Sequence, residues 1–117
     1  MRFVHLRKFY MIPVCSIIAA VQPSANASAE PGWCANVHSG SPASEWAICD
    51  NPDIGKLDDV MTTAYDRALF DSPGFSREIR RTQKRWLRRR NRCGASVGCL
   101  RSTYRQRTFE LEGYFAN

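Results

Sequence analysis

From Asn51 onward the apolar residues recur at spacings of three and four. Leu57, Val60, Met61, Ala64, Tyr65, Ala68 and Leu69 form one stripe, which predicts an amphipathic helix over about 52–70. Asn51-Pro52-Asp53 supplies its start: a capping amide, a proline where no backbone donor is needed, and an acid in the first turn. Ser72-Pro73-Gly74 ends it. A sparser stripe follows, Ile79, Gln83, Trp86, Leu87, Arg90 and Cys93, which predicts a second helix from Ser76 to Cys93 with Gly94 ending it in a left-handed turn. Ser96 is placed to cap a third helix, with Val97, Leu100, Tyr104, Thr108, Leu111 and Phe115 on one side.

The short connection makes the first two helices antiparallel neighbours. No repeat and no strand-like alternation is present. The expected fold is all-α, a small antiparallel helical hairpin with a third helix packed across it. Residues 28–50, rich in Ser, Ala, Gly and Pro, read as an irregular N-terminal arm held down by cysteine and by Trp33 and Trp46, ahead of a helical domain over 51–117.

The first residues read as an address. Arg2, Arg7 and Lys8 precede an apolar run from Phe9 to Val21, and Ala25-Asn-Ala27 and Ala27-Ser-Ala29 offer small-residue cleavage patterns. This is the layout of a secretory signal peptide over 1–27, or 1–29 with the second pattern. The run of about 13 residues is shorter than the roughly 20 that a membrane span needs. Val14 before Cys15 argues against a lipid-attachment box. The expectation is an exported chain, secreted or periplasmic, with no transmembrane span after cleavage.

Export changes the composition. The whole chain of 117 residues carries +6 from 17 Lys/Arg and 11 Asp/Glu. Loss of the three leader cations leaves +3, divided into −6 over residues 28–71 and +9 over residues 72–117. An acidic first helix beside a basic second one would favour their pairing, although exposed ion pairs contribute only about 0–1 kcal/mol each. Five cysteines become Cys34, Cys49, Cys93 and Cys99, which in a short exported chain read as two disulfides. Their spacings match no common zinc finger. Cys93 and Cys99 bracket a turn, so the pairing 34–49 with 93–99 is favoured. The hairpin also brings Cys49 toward Cys93, which leaves 49–93 with 34–99 as a rival.

Little here proposes catalysis. His38 is the single histidine after the leader and has no nominated partner. Asp58-Asp59 and Glu110/Glu112 point in different directions on a helix. No phosphate-binding glycine loop or metal spacing is present, so neither a cofactor nor a metal is expected. The strongest surface feature is the outward band Arg77, Arg81, Lys84, Arg85, Arg88 and Arg92, which suits an anionic envelope polymer or a solvated face. Export and the lack of exposed aromatics in that band argue against nucleic acid.

Several residues nonetheless form an ordered set. Glu45 and Ile48-Cys49 precede the first helix, Leu57-Asp58 and Tyr65 lie in it, Gln83, Trp86, Arg90 and Cys93 follow on the second, and Cys99-Leu100, Tyr104 and Arg107 on the third. In this arrangement the chain resembles the LprI-type lysozyme-inhibitor family over about residues 34–112. The resemblance implies a small secreted or envelope-associated, disulfide-bonded helical domain and, for some members, inhibition of lysozyme by protein–protein contact. Asp58, Tyr65, Gln83, Trp86, Arg90, Tyr104 and Arg107 also have structural explanations. The aromatics have core spacing, Gln83 needs a backbone or tyrosine partner, and Asp58 is the expected partner of Arg90 across the hairpin. Animal-type lysozymes are basic, so Asp59 and Asp66 in the acidic half are the candidate contact with a muramidase. Arg81, Lys84, Arg85, Arg88 and Arg92 are the candidate contact of the alternative, an envelope structural or stress protein that holds anionic polymers.

Overall fold

The Asn51 side chain accepts a hydrogen bond from the Ile54 backbone N–H at 3.4 Å and opens the longest helix among the described residues. The computed structural model describes residues 30–116; the segment expected to be a signal peptide, with its cleavage patterns, lies outside the described residues. Four α-helices follow in order: α1 (Ala43–Asp50), α2 (Pro52–Asp71), α3 (Ser76–Asn91) and α4 (Val97–Glu112). Single 3₁₀ turns cover Gly32–Asn36 and Pro73–Phe75. The fold is all-α, with no strand among the described residues.

The expected starts and stops hold. Ser96 Oγ accepts from the Cys99 N–H at 3.3 Å, satisfying one of the orphan donors of α4. Gly94 has φ +56°, the left-handed conformation that lets the chain leave α3 without a Cβ penalty. The stripes meet in one core of Ile48, Ile54, Met61, Ala64, Ala68, Ile79, Trp86, Leu100, Tyr104 and Leu111. Val60, expected in the first stripe, is instead 52% exposed. It lies on the rim of an open groove between α2 and α4, beyond the cover that Thr108 and Phe115 give.

Contacts between side chains fix the topology. Gln83 of α3 reaches Met61 of α2, Trp86 of α3 reaches the Thr103 carbonyl of α4, and Ser72 after α2 donates to the Tyr114 carbonyl after α4 at 2.6 Å. α2 and α3 are therefore antiparallel, as are α3 and α4, while α2 and α4 run side by side in the same direction. The third long helix does not cross the hairpin. It lies along α2 and completes an up-down-up bundle, because the six-residue turn closed by Cys93–Cys99 returns the chain directly alongside α3.

The N-terminal arm is more ordered than expected. α1 forms within it and packs across one end of the bundle, with Ser44 and Ile48, one turn apart, fully buried. Ser44 Oγ donates to Asn91 Oδ1 at the end of α3, 3.1 Å away. Cys34–Cys49 and Cys93–Cys99 are the two disulfides, with Cα separations of 5.7 and 5.5 Å. The first ties the Gly32–Asn36 turn to α1. Of the two arm tryptophans, Trp33 packs on the core, whereas Trp46 points to solvent and holds nothing down. No helix of the described residues is long and apolar enough to cross a membrane.

Candidate functional site

The ordered residue set converges on one place, where α1 and the Gly32–Asn36 turn close over the bundle. Asp58 projects from the buried face of α2 and is 4% exposed. Its Oδ1 accepts from the Tyr104 hydroxyl of α4 at 2.7 Å, and its Oδ2 accepts from Trp33 Nε1 at 3.0 Å. Arg90 approaches from α3 and donates through Nη1 to the same Tyr104 oxygen at 3.5 Å. Its Nη2 meets Glu45 Oε1 of α1 at 3.5 Å, and Nε and Nη2 donate to Asn91 Oδ1 at 3.2 and 3.0 Å.

This corrects the expected Arg90–Asp58 pair. The Tyr104 hydroxyl stands between the two charges, and the carboxylate that meets Arg90 comes from α1, in the segment expected to be irregular. The guanidinium carbon lies 5.6 Å from the Trp33 ring centre and 5.9 Å from that of Trp86, within cation–π range of both. Trp86 and Tyr104 meet edge to face at 5.1 Å.

A second cluster joins α3 to α4 on the other side of Trp86. Arg107, 3% exposed, donates to Gln83 Oε1 at 2.8 Å, Thr82 Oγ1 at 3.1 Å, the Ile79 carbonyl at 3.5 Å and Glu110 Oε2 at 3.1 Å. Gln83 thus serves a buried arginine and the Met61 sulfur, where a tyrosine or backbone partner was expected. Arg107 is a clamp rather than a surface charge. Every buried side-chain nitrogen or oxygen among the described residues has a partner.

Saturation of these groups governs their chemistry. Both oxygens of Asp58 are occupied. Burial, and then the Asp58 carboxylate beside it, push the Tyr104 hydroxyl well above the ordinary tyrosine range, against a smaller opposing pull from Arg90. A cleft of about 460 Å³ opens over the network between Trp33, Glu45, Tyr65, Gln83, Leu87 and Arg90. Tyr65 is half-buried on its wall. His38 lies apart and exposed, its Nδ1 accepting from the Gly40 N–H at 3.0 Å within a turn. Glu30 lies beside the sulfurs of Cys34 and Cys49, but these are bonded to each other and offer no thiolate to a metal.

The two candidate contact surfaces lie on the outer sides of different helices. Asp59 and Asp66 are both exposed on α2, seven residues apart and so on one side of the helix. Phe70 extends the same side one turn further and is 86% exposed. It falls outside every core stripe, and an exposed phenylalanine beside two acids was the available signal. On α3, Arg81, Lys84, Arg85, Arg88 and Arg92 are all exposed. The expected neutralisation by α2 does not occur: among the described residues α3 makes ion pairs only through Arg89 with Glu110 and Arg90 with Glu45. The α2 acids project away from α3, so proximity of the helices does not bring the charges together. No protein-family model matches the chain, and no curated protein or solved structure matches it either.

Proposed function

We propose that the protein is an exported, non-catalytic binding module of the lysozyme-inhibitor type, acting on a muramidase by direct contact. The observation that carries this reading is the convergence of the residue set that underlies the resemblance. Glu45, Asp58, Trp86, Arg90 and Tyr104 come from four separate helices and lie in one interlocked cluster, and Gln83 and Arg107 form the adjoining clamp. Inward helical spacing accounts for their burial; their pairing with one another across four helices is what supports the reading. The buried polar groups of the network are paired with one another, which supports a reading of surface recognition. Asp59, Asp66 and Phe70 on the outer side of α2 combine acid with an aromatic anchor, suited to a basic partner.

A second reading rests on a different observation. The exposed cations Arg81, Lys84, Arg85, Arg88 and Arg92 have no carboxylate partner among the described residues, as expected of a helix that holds an anionic polymer. The two readings use different residues on different helices, so one experiment separates them. The exported form is added to lysozyme in a peptidoglycan turbidity assay and, in parallel, passed over immobilised lipopolysaccharide. Inhibition that Asp59→Lys/Asp66→Lys slows in its association rate at low salt, with Arg81→Glu/Arg88→Glu without effect, is the expected result. Absence of inhibition even in large molar excess, with retention on lipopolysaccharide abolished by Arg81→Glu/Arg88→Glu, would overturn the first reading in favour of the second.

A further inference from the structure

A second cleft lies between α3 and α4, on the far side of Trp86 and beside the Arg107 clamp. It encloses about 530 Å³ and is lined by Thr82, Trp86, Tyr114 and four arginines, Arg85, Arg89, Arg92 and Arg107, against one carboxylate, Glu110. Arg107 and Arg89 both meet that carboxylate, at 3.1 and 3.9 Å. Arg85 and Arg92 meet none among the described residues. They lie seven residues apart on the α3 edge of the groove, about 10 Å along the axis, with Arg89 between them.

Arg107 and Arg89 serve the fold through Glu110, but Arg85 and Arg92 have no such part. Cations three and four residues apart on one helix repel, and Arg85 and Arg92 are exposed, outside the core. The walls are nevertheless built. Arg107 is fixed by Gln83 and Thr82, and the Tyr114 hydroxyl is turned to Glu78 at 2.8 Å, which presents its ring to the groove. Guanidinium forks bind phosphate oxygens in a bidentate manner, which makes arginine, unlike lysine, the residue for shaped phosphate recognition.

We propose that the α3–α4 groove is a binding site for a diphosphate or a closely spaced pair of phosphate esters, gripped by Arg85 and Arg92 with Arg89 between them. Arg85 and Arg92 start about 10 Å apart on the helix, so their long side chains either reach toward Arg89 to hold one diphosphate or each take one of two neighbouring phosphate esters. The proposal deepens the polymer-binding reading by naming the group recognised, and rests on that reading only for the source of the phosphate. Free phosphate and a lipid headgroup share this chemistry.

The test titrates the full exported form, with both disulfides formed, against inorganic pyrophosphate by calorimetry, and separately against phosphatidylcholine vesicles with and without phosphatidic acid. Arg85→Gln/Arg92→Gln is expected to weaken binding by about tenfold or more, the scale of lost charge-assisted hydrogen bonds. Arg80→Gln/Lys56→Gln removes the same charge from exposed positions outside the groove and should change affinity by less than about twofold. Groove-dependent binding to vesicles alone supports the site and assigns the phosphate to a lipid. Equal losses in both variants overturn it in favour of a diffuse field, and binding to neither probe overturns it outright. Retention on lipopolysaccharide that survives Arg85→Gln/Arg92→Gln leaves the polymer reading standing without the groove.

Discussion

The Tyr104 hydroxyl does the work that a salt bridge was expected to do. It accepts from Arg90 and donates to Asp58, so two charges on facing helices are joined without touching. Helical spacing put Asp58, Tyr104 and Arg90 on inward faces, and all three are buried. It could not reveal which group lies between which, because that depends on depth and rotamer rather than on periodicity. The arrangement has a pH consequence. The folded state holds Tyr104 neutral at pH values where an unfolded chain, titrating near about 10, has lost the proton. The folded protein then binds more protons than the unfolded one, so stability is level through neutral pH and falls as pH rises above about 10. Urea denaturation across pH 7 to 11 should show this fall, and Tyr104→Phe should flatten it while lowering stability at pH 7, because Asp58 loses the hydrogen bond that Tyr104 donates. Tyr114, raised in the same direction chiefly by burial, adds a smaller alkaline component that survives the substitution. An undiminished fall in Tyr104→Phe would assign the whole effect elsewhere.

Among the elements, the three long helices were legible from their stripes, helped by caps at Asn51 and Ser96 and by stops at Ser72-Pro73-Gly74 and Gly94. α1 was not. It spans eight residues, in a segment whose serines, glycines and prolines read as loop, and its buried side is only Ser44 and Ile48. A helix this short is marginal in water by itself and forms because tertiary contacts hold it. The retaining devices are the Cys34–Cys49 bridge, the Ser44–Asn91 hydrogen bond and the Glu45–Arg90 pair. Bridge removal should therefore act beyond loop entropy. Closure of a 15-residue separation corresponds to about 3 kcal/mol, against about 2 for the six-residue Cys93–Cys99 turn. Cys34→Ser/Cys49→Ser should cost more than its entropic share, since Trp33 then leaves Asp58 with an unpaired oxygen. Cys93→Ser/Cys99→Ser should cost no more than its own. Chemical denaturation of both double variants checks the order, and equal costs would show that the 32–50 segment contributes little to the bundle.

At the scale of the whole molecule, the −6 and +9 halves were plain in the sequence, but their orientation was not. Adjacency of an acidic and a basic helix suggested mutual neutralisation; the buried faces instead turned both sets of charges outward on different flanks. Salt alone cannot separate the two functional readings, because contacts through either flank weaken as ionic strength rises. An apolar contact can. Phe70 is 86% exposed and contributes to no core cluster, so Phe70→Ala should leave unfolding unchanged within about 0.5 kcal/mol. If α2 meets a muramidase, the same substitution removes an aromatic anchor and should weaken inhibition by about tenfold or more. That loss should persist at high salt, where the effect of Asp59→Lys/Asp66→Lys has faded. Retention on an anionic polymer, which engages α3 instead, should be indifferent to Phe70 at every salt concentration. Inhibition unaltered in Phe70→Ala would move the contact off the outer side of α2, whatever the acids do.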